Sequence, residues 1–291
     1  MVMSDTGIER VGVVGGGIMG TGIAEGCARS GFEVTLVEVD DARAQAAHAR
    51  VSHSLDRAVR RGKLESEAAR EALGRLECAT ELEALADRQV VVEAVIENRE
   101  AKLGVFKRLA SVVQDSNAIL ASNTSSIPIV DLAASTGDRS ANVLGMHFFN
   151  PVPVLSLVEL IPSLLTDEGV VERSRVFVTE GLAKDPILAR DRAGFTVNAL
   201  LIPYLLSAIR MFEQGLATAE DIDMGMVKGC AHPMGPLALA DLIGLDTVQG
   251  VAETLYREHR EALFAPPPLL QRLVAANLLG RKTGRGLYRY D

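Results

Sequence analysis

His147 and Glu159 are the two side chains whose types and spacing best suit proton transfer. His147 follows the apolar run Val143-Leu144-Gly145-Met146, and Glu159 follows Leu155 to Val158, so each is expected to end a short buried strand. Pro151 and Pro153 lie between them, interrupt strand pairing and force a loop. An imidazole and a carboxylate at the mouths of neighbouring strands can touch. A carboxylate that accepts the Nδ1 proton fixes the tautomer, leaves Nε2 as the base and stabilises the imidazolium that forms when a proton arrives. The competing reading is a loop histidine and a loop glutamate that never meet.

The elements that would position such a pair begin near the N-terminus. Val11 to Val14 runs straight into Gly15-Gly16-Gly17-Ile18-Met19-Gly20, and a helical pattern continues to Ser30, with Gly31 as its stop. Gly15, Gly17 and Gly20 occupy the three positions of a dinucleotide-binding turn, with Ile18 and Met19 in the intervening positions. The first glycine serves the turn, the second the approach of a pyrophosphate, the third the packing of helix on strand. The next strand, Val34 to Val37, ends in Glu38, placed to bind a ribose diol. A carboxylate there repels a 2′-phosphate and favours NAD over NADP. Arg43 is the one nearby cation expected to weaken that preference.

From Asp40 to about Leu73 the chain reads as a charge-rich helix pair broken at Gly62, inserted between strands. Arg57, Arg60, Arg61 and Lys63 cluster at its bend, either as a grip for the phosphates of a large anionic substrate or as a solvated face. Val90 to Val95 is a continuous apolar strand with Glu93 in it, followed by Glu97-Asn98 and a helix around Ala101 to Val113. Ala118 to Ala121 is the next strand and ends in Ser122-Asn123-Thr124-Ser125-Ser126. Polar groups at successive strand ends line one edge of the sheet, the carboxyl edge where open α/β sheets bind ligands. A helix from Pro128, strands to Met146 and Val158, a helix from Glu168 to Leu182 and a strand at Ile187-Leu188 complete a mostly parallel Rossmann-type sheet domain over residues 1–190. After Asp191 the pattern is helical throughout, so residues 191–291 are expected to form an all-helical second domain. Its helices are too apolar for an exposed bundle and are expected to bury a face against a second subunit. His232, between Ala231 and Pro233 with no carboxylate partner apparent, reads as structural.

The 291 residues suffice for about two domains. The charge of -8, from 30 Lys plus Arg against 38 Asp plus Glu, argues against a general nucleic-acid binder. Cys27, Cys78 and Cys230 have no metal or redox spacing and read as reduced thiols of a cytoplasmic protein, with no metal site. No secretory leader and no membrane span are expected.

The chain resembles the 3-hydroxyacyl-CoA dehydrogenase family, particularly its short bacterial 3-hydroxybutyryl-CoA members. The resemblance rests on Val-Gly-Gly-Gly-Ile-Met-Gly (14–20), Ala-Ser-Asn-Thr-Ser-Ser (121–126), Gly-Met-His-Phe-Phe-Asn-Pro-Val-Pro (145–153), Gly-Phe-Thr-Val-Asn (194–198), His-Pro-Met-Gly-Pro (232–236) and Lys-Thr-Gly-Arg-Gly-Leu-Tyr (282–288). It implies a catalytic dyad of His147 and Glu159, with Ser125 and Asn150 bonding the substrate oxygen and the histidine, and Asn198 completing the site. It also implies that Glu97 and Asn123 sit at the nicotinamide ribose and amide with Lys102 among the cofactor residues, that Ser54 and Lys102 lie along the CoA path with Arg61 at its phosphates, and that the protein is a homodimer joined through the helical domain. Two positions depart from the family: Ala193 stands where Pro is common, and Ala199 where Arg is common. The implied reaction is hydride transfer between NAD and a 3-hydroxyacyl-CoA. A dehydrogenase of carrier-protein thioesters, a decarboxylating 3-hydroxyacid dehydrogenase with a catalytic Lys, and a non-catalytic dinucleotide binder are the alternatives.

Overall fold

The computed structural model describes residues 7–290. Residues 1–6, on which part of the expectation of no leader falls, lie outside the described residues. The chain divides into two compact units between Asp191 and Arg192. In order, the first contains β1 (Arg10–Val14), α1 (Ile18–Arg29), β2 (Glu33–Val37), α2 (Asp41–Arg60), α3 (Ser66–Gly74), β3 (Leu76–Ala79), β4 (Val90–Glu93), α4 (Arg99–Val112), β5 (Ile119–Ser122), α5 (Ile129–Ala134), β6 (Val143–Phe148), β7 (Leu157–Pro162), α6 (Glu168–Val176) and β8 (Asp185–Leu188). The second contains α7 (Val197–Glu213), α8 (Ala219–Gly229), α9 (Pro236–Ile243), α10 (Leu245–His259) and α11 (Pro268–Ala275).

The strands form one sheet in the order β3-β2-β1-β4-β5-β6-β7-β8. All neighbours are parallel except β6 and β7, which run antiparallel. Valines and isoleucines dominate the central strands, and Val11, Val13, Val90, Val92 and Ile119 are wholly buried, as strands covered on both faces require. Each such side chain contributes about 1.5–3 kcal/mol of apolar burial. Four of the helices start at a short polar side chain that caps them: Asp40 accepts from the Arg43 amide, Asn98 from Ala101, Asp167 from Gly169 and Thr218 from Asp221.

Two local expectations need correction, and one strand has no signal in the sequence. β3, with the mixed sequence Leu-Glu-Cys-Ala, lacks both an apolar run and an alternation, and only its pairing to β2 makes it a strand. Glu159 does not follow a strand: Leu155 is 41% exposed in the turn, and β7 begins only at Leu157, so Glu159 lies inside it. The apolar pattern predicts a long helix over Phe195 to Phe212, but the first helix of the second unit starts at Val197, because Gly194 and Phe195 take positive φ in the turn before it. The helix pair after β2 does break at Gly62.

The second unit has its own core, with Leu205, Leu206, Ile209, Leu237, Val248 and Leu255 at its centre. Two buried carboxylates organise its C-terminal half. Asp223 accepts from the Leu237 and Ala238 amides at 2.8 and 2.9 Å and from the Tyr288 hydroxyl at 2.9 Å. Asp241 accepts from the Leu287 and Tyr288 amides and the Tyr290 hydroxyl, all at 2.9 Å. His232 lies 3.1 Å through its Nδ1 from the Tyr204 hydroxyl, a structural contact within the unit.

Candidate active site

The antiparallel register of β6 and β7 sets His147 directly opposite Glu159. Facing residues of an antiparallel pair project to the same face, which brings the imidazole Nδ1 to 2.7 Å from Glu159 Oε2. Glu159 is fully buried and His147 is 6% exposed. A bare carboxylate in that position would cost several kcal/mol, so the ring N–H that satisfies it is held in one orientation. Phe149 packs against the imidazole with ring centroids 4.6 Å apart. The loop between the strands is pinned by Lys184, whose ammonium donates to the Val152 and Leu155 carbonyls at 2.7 and 2.6 Å. Burial, more than its neighbouring charges, pushes that ammonium below the usual lysine range. Asn150, on the same loop, is exposed.

The glycine turn after β1 has the geometry that its spacing predicts. Gly15 takes φ +100°, and a Cβ on Gly20 would stand 1.8 Å from the Gly15 carbonyl oxygen. A Cβ on Gly17 would meet no protein atom within 4 Å, so the protein itself leaves room for a ligand backbone at that residue. This is the cradle that the pyrophosphate of a dinucleotide fits, at the start of α1 where Ile18 and Met19 form the first turn. Glu38 leaves the end of β2 and accepts from the Gly16 amide at 2.7 Å, which puts its carboxylate beside the turn.

Arg43 pairs weakly with Asp40 at 3.6 Å on the exposed start of α2. It is not the only cation nearby: Arg50, three turns along α2, donates to the Gly16 carbonyl. Twelve residues of sequence separate Arg50 from Glu38, and only the packing of α2 on the glycine turn brings it there. Arg50, Ser54, Arg57 and Arg61 recur three or four residues apart, along one side of the helix and its C-terminal cap. Arg57, Arg60, Arg61 and Lys63 are all exposed.

Polar residues cluster at the ends of β4 and β5. Glu97 accepts from the Thr124 hydroxyl at 2.5 Å, the Ser126 hydroxyl at 2.8 Å and the Ser125 amide at 3.1 Å. Burial pushes its carboxyl up, but the Lys102 charge and these hydrogen bonds outweigh burial and hold it below the ordinary carboxylate range. Asn123 accepts from the Phe148 amide at 2.8 Å, tying the loop that carries Ser125 to the strand that carries His147. Lys102 does not lie along a substrate path. It is 1% exposed, with its ammonium 2.6 Å from Glu93 and 3.4 Å from Glu97, so it works beneath Glu97 rather than at the surface. Asn198 lies in the first turn of α7, in the other unit. Among the described residues, no group of three or more His, Cys, Asp or Glu could hold a metal ion, and no helix is long and apolar enough to cross a membrane.

Residues 10–192 match the family model described as 3-hydroxyacyl-CoA dehydrogenase, NAD binding domain, and residues 194–290 match its C-terminal domain. A Mycobacterium tuberculosis protein named 3-hydroxybutyryl-CoA dehydrogenase is 53% identical over 288 residues, which cover 99% of this chain and 100% of that one. The human mitochondrial hydroxyacyl-coenzyme A dehydrogenase is 38% identical, over 97% of this chain and 91% of its own. The crystal structure of (S)-3-hydroxybutyryl-CoA dehydrogenase from Ralstonia eutropha superposes with a TM-score of 0.91 at 45% identity, over 98% of this chain and 99% of that one.

Proposed function

Because the chain belongs to the 3-hydroxyacyl-CoA dehydrogenase family, we infer that it is an NAD-dependent oxidoreductase interconverting (S)-3-hydroxyacyl-CoA, principally 3-hydroxybutyryl-CoA, and the 3-oxoacyl-CoA. The observation that carries the reading is the 2.7 Å contact of His147 Nδ1 with the buried Glu159. When bound, NAD supplies the hydride acceptor at C4 of its nicotinamide, and NADH the donor for the reverse direction. In oxidation His147 takes the hydroxyl proton at Nε2 while the hydride leaves C3, and the C–O bond becomes a carbonyl. In reduction the imidazolium returns that proton to the oxygen. Glu159 keeps the ring in the tautomer that does this and stabilises its cationic form. Ser125 and Asn150 hydrogen-bond the substrate oxygen as its charge changes.

Gly15, Gly17 and Gly20, with Ile18 and Met19, cradle the pyrophosphate in this reading. Glu38 takes the adenosine ribose diol, while Glu97, supported by Lys102, and Asn123 serve the nicotinamide ribose and amide. Ser54 and Arg61 on the exposed side of α2 meet the phosphates of CoA, and Asn198 contributes to the substrate contacts on the strength of the family resemblance. The protein works as a homodimer through its helical domain, in the cytoplasm. The direct test is turnover of acetoacetyl-CoA with NADH, followed by loss of the NADH absorbance. Absence of turnover, with NADH still bound, would leave a dinucleotide-binding protein without this catalysis.

A further inference from the structure

Glu93 is the one carboxylate of β4 and is buried completely, at the C-terminal end of an otherwise apolar strand. Both of its oxygens are bonded: Oε1 accepts from Lys102 Nζ at 2.6 Å and the Val95 amide at 2.7 Å, and Oε2 accepts from the Ser122 hydroxyl at 2.6 Å. A buried ion pair is a poor device for stability, since apolar residues of similar volume do as well or better. What it does supply is direction. The Lys102 ammonium, held from below by Glu93, also contacts the Val95 carbonyl and Glu97 Oε2, each at 3.4 Å. Glu97 is the first member of this series to reach the surface, with 39% of its side chain exposed. It in turn gathers Thr124, Ser125 and Ser126, so minus, plus and minus charges run from the sheet interior to the loop that carries Ser125. Ser122 stiffens the same loop from its base by accepting from the Thr124 amide at 3.2 Å.

We propose that Glu93 is a positioning residue for hydride transfer: through Lys102 and Ser122 it fixes Glu97 and the Asn123–Ser126 loop in the arrangement that orients the nicotinamide riboside and the substrate oxygen. The proposal rests on the reading of Glu97 as a ligand of the nicotinamide ribose. Glu93→Gln keeps the shape and removes the charge, and Ser122→Ala removes one bond to Glu93 while keeping the charge. Misplacement of about an ångström near the reacting atoms costs up to about a hundredfold in rate.

The measurements are Kd for NADH, Kd for ADP, which has no nicotinamide riboside, and kcat with acetoacetyl-CoA, on the full chain. For Glu93→Gln, NADH binding and kcat should each fall by about tenfold or more while ADP binding stays at the wild-type value. Ser122→Ala should shift the same quantities in the same direction by less, and it decides the matter if Glu93→Gln does not fold. Equal weakening of ADP and NADH in either variant would reduce Glu93 to a structural residue and overturn the proposal, as would wild-type NADH binding and kcat in both. Glu97→Gln separates the two levels. Wild-type NADH binding in that variant removes the reading of Glu97, whereas weakened binding there with wild-type behaviour in Glu93→Gln and Ser122→Ala removes only the connection through Glu93.

Discussion

At the scale of single residues, the proposed chemistry depends on two pairs of charged side chains with different degrees of burial. His147 and Glu159 are shielded from water, so the carboxylate acts on the ring with little screening. His147→Gln should lower kcat by about a hundredfold or more, the usual share of a general base, with NADH still binding. Glu159→Gln should behave similarly, and steady-state kinetics at saturating NADH check both; turnover at the wild-type level in either variant would remove the dyad from the mechanism. Glu38 and Arg50 both contact the backbone of Gly16, Glu38 at its N–H and Arg50 at its C=O. Glu38→Gln should therefore raise the ratio of NADPH to NADH efficiency by about tenfold, a like-charge penalty of about 1.4 kcal/mol being removed. Adding Arg50→Met should take much of that gain away. Initial rates with both cofactors measure it, and an unaltered ratio in the single variant would argue against Glu38 as the ribose residue.

At the scale of elements, the strand pair β6–β7 and the turn between β1 and α1 impose opposite demands. The first needs an antiparallel register that places two polar groups face to face, and the loop that closes it is held by Lys184 rather than by ladder bonds. The second needs backbone alone, with Gly20 so close to Gly15 that no side chain fits. In the helical unit, Asp223 caps α9 and anchors the C-terminal segment at once. Asp223→Ala leaves two amides and a tyrosine hydroxyl without their acceptor, at about 1.5–3 kcal/mol for each charged hydrogen bond before compensation by water. A net loss of about 3 kcal/mol is expected in urea unfolding, and a change below about 0.5 kcal/mol, the level of an ordinary surface substitution, would show that the carboxylate is not the anchor.

At the scale of the whole molecule, the helical unit exposes large apolar side chains that its own core leaves out. Leu200 is 72%, Leu216 67% and Met224 57% exposed. Such residues are what a self-association surface uses. Light scattering should give twice the 31.1 kDa chain mass for the wild type, and Leu216→Glu combined with Met224→Glu should shift it toward a single chain. A wild-type protein that stays monomeric at every concentration would remove the dimer from the functional reading.

The glycine turn, the carboxylate after β2 and most of the runs that alternate between strand and helix were legible in the sequence, because each depends on local backbone geometry or on an apolar period. The His147–Glu159 pair was legible as well, although Glu159 proved to sit inside its strand, since periodicity does not show where a proline-rich turn ends. β3 was not legible: its four residues carry no pattern of their own, and pairing to β2 alone makes them a strand. Nor was the place of Lys102, which composition assigns to solvent and the fold encloses between Glu93 and Glu97. Arg50 at Gly16 belongs with these. Local order follows from neighbours along the chain, whereas the partners of a long charged side chain are set by which elements pack together, and that only the tertiary structure decided.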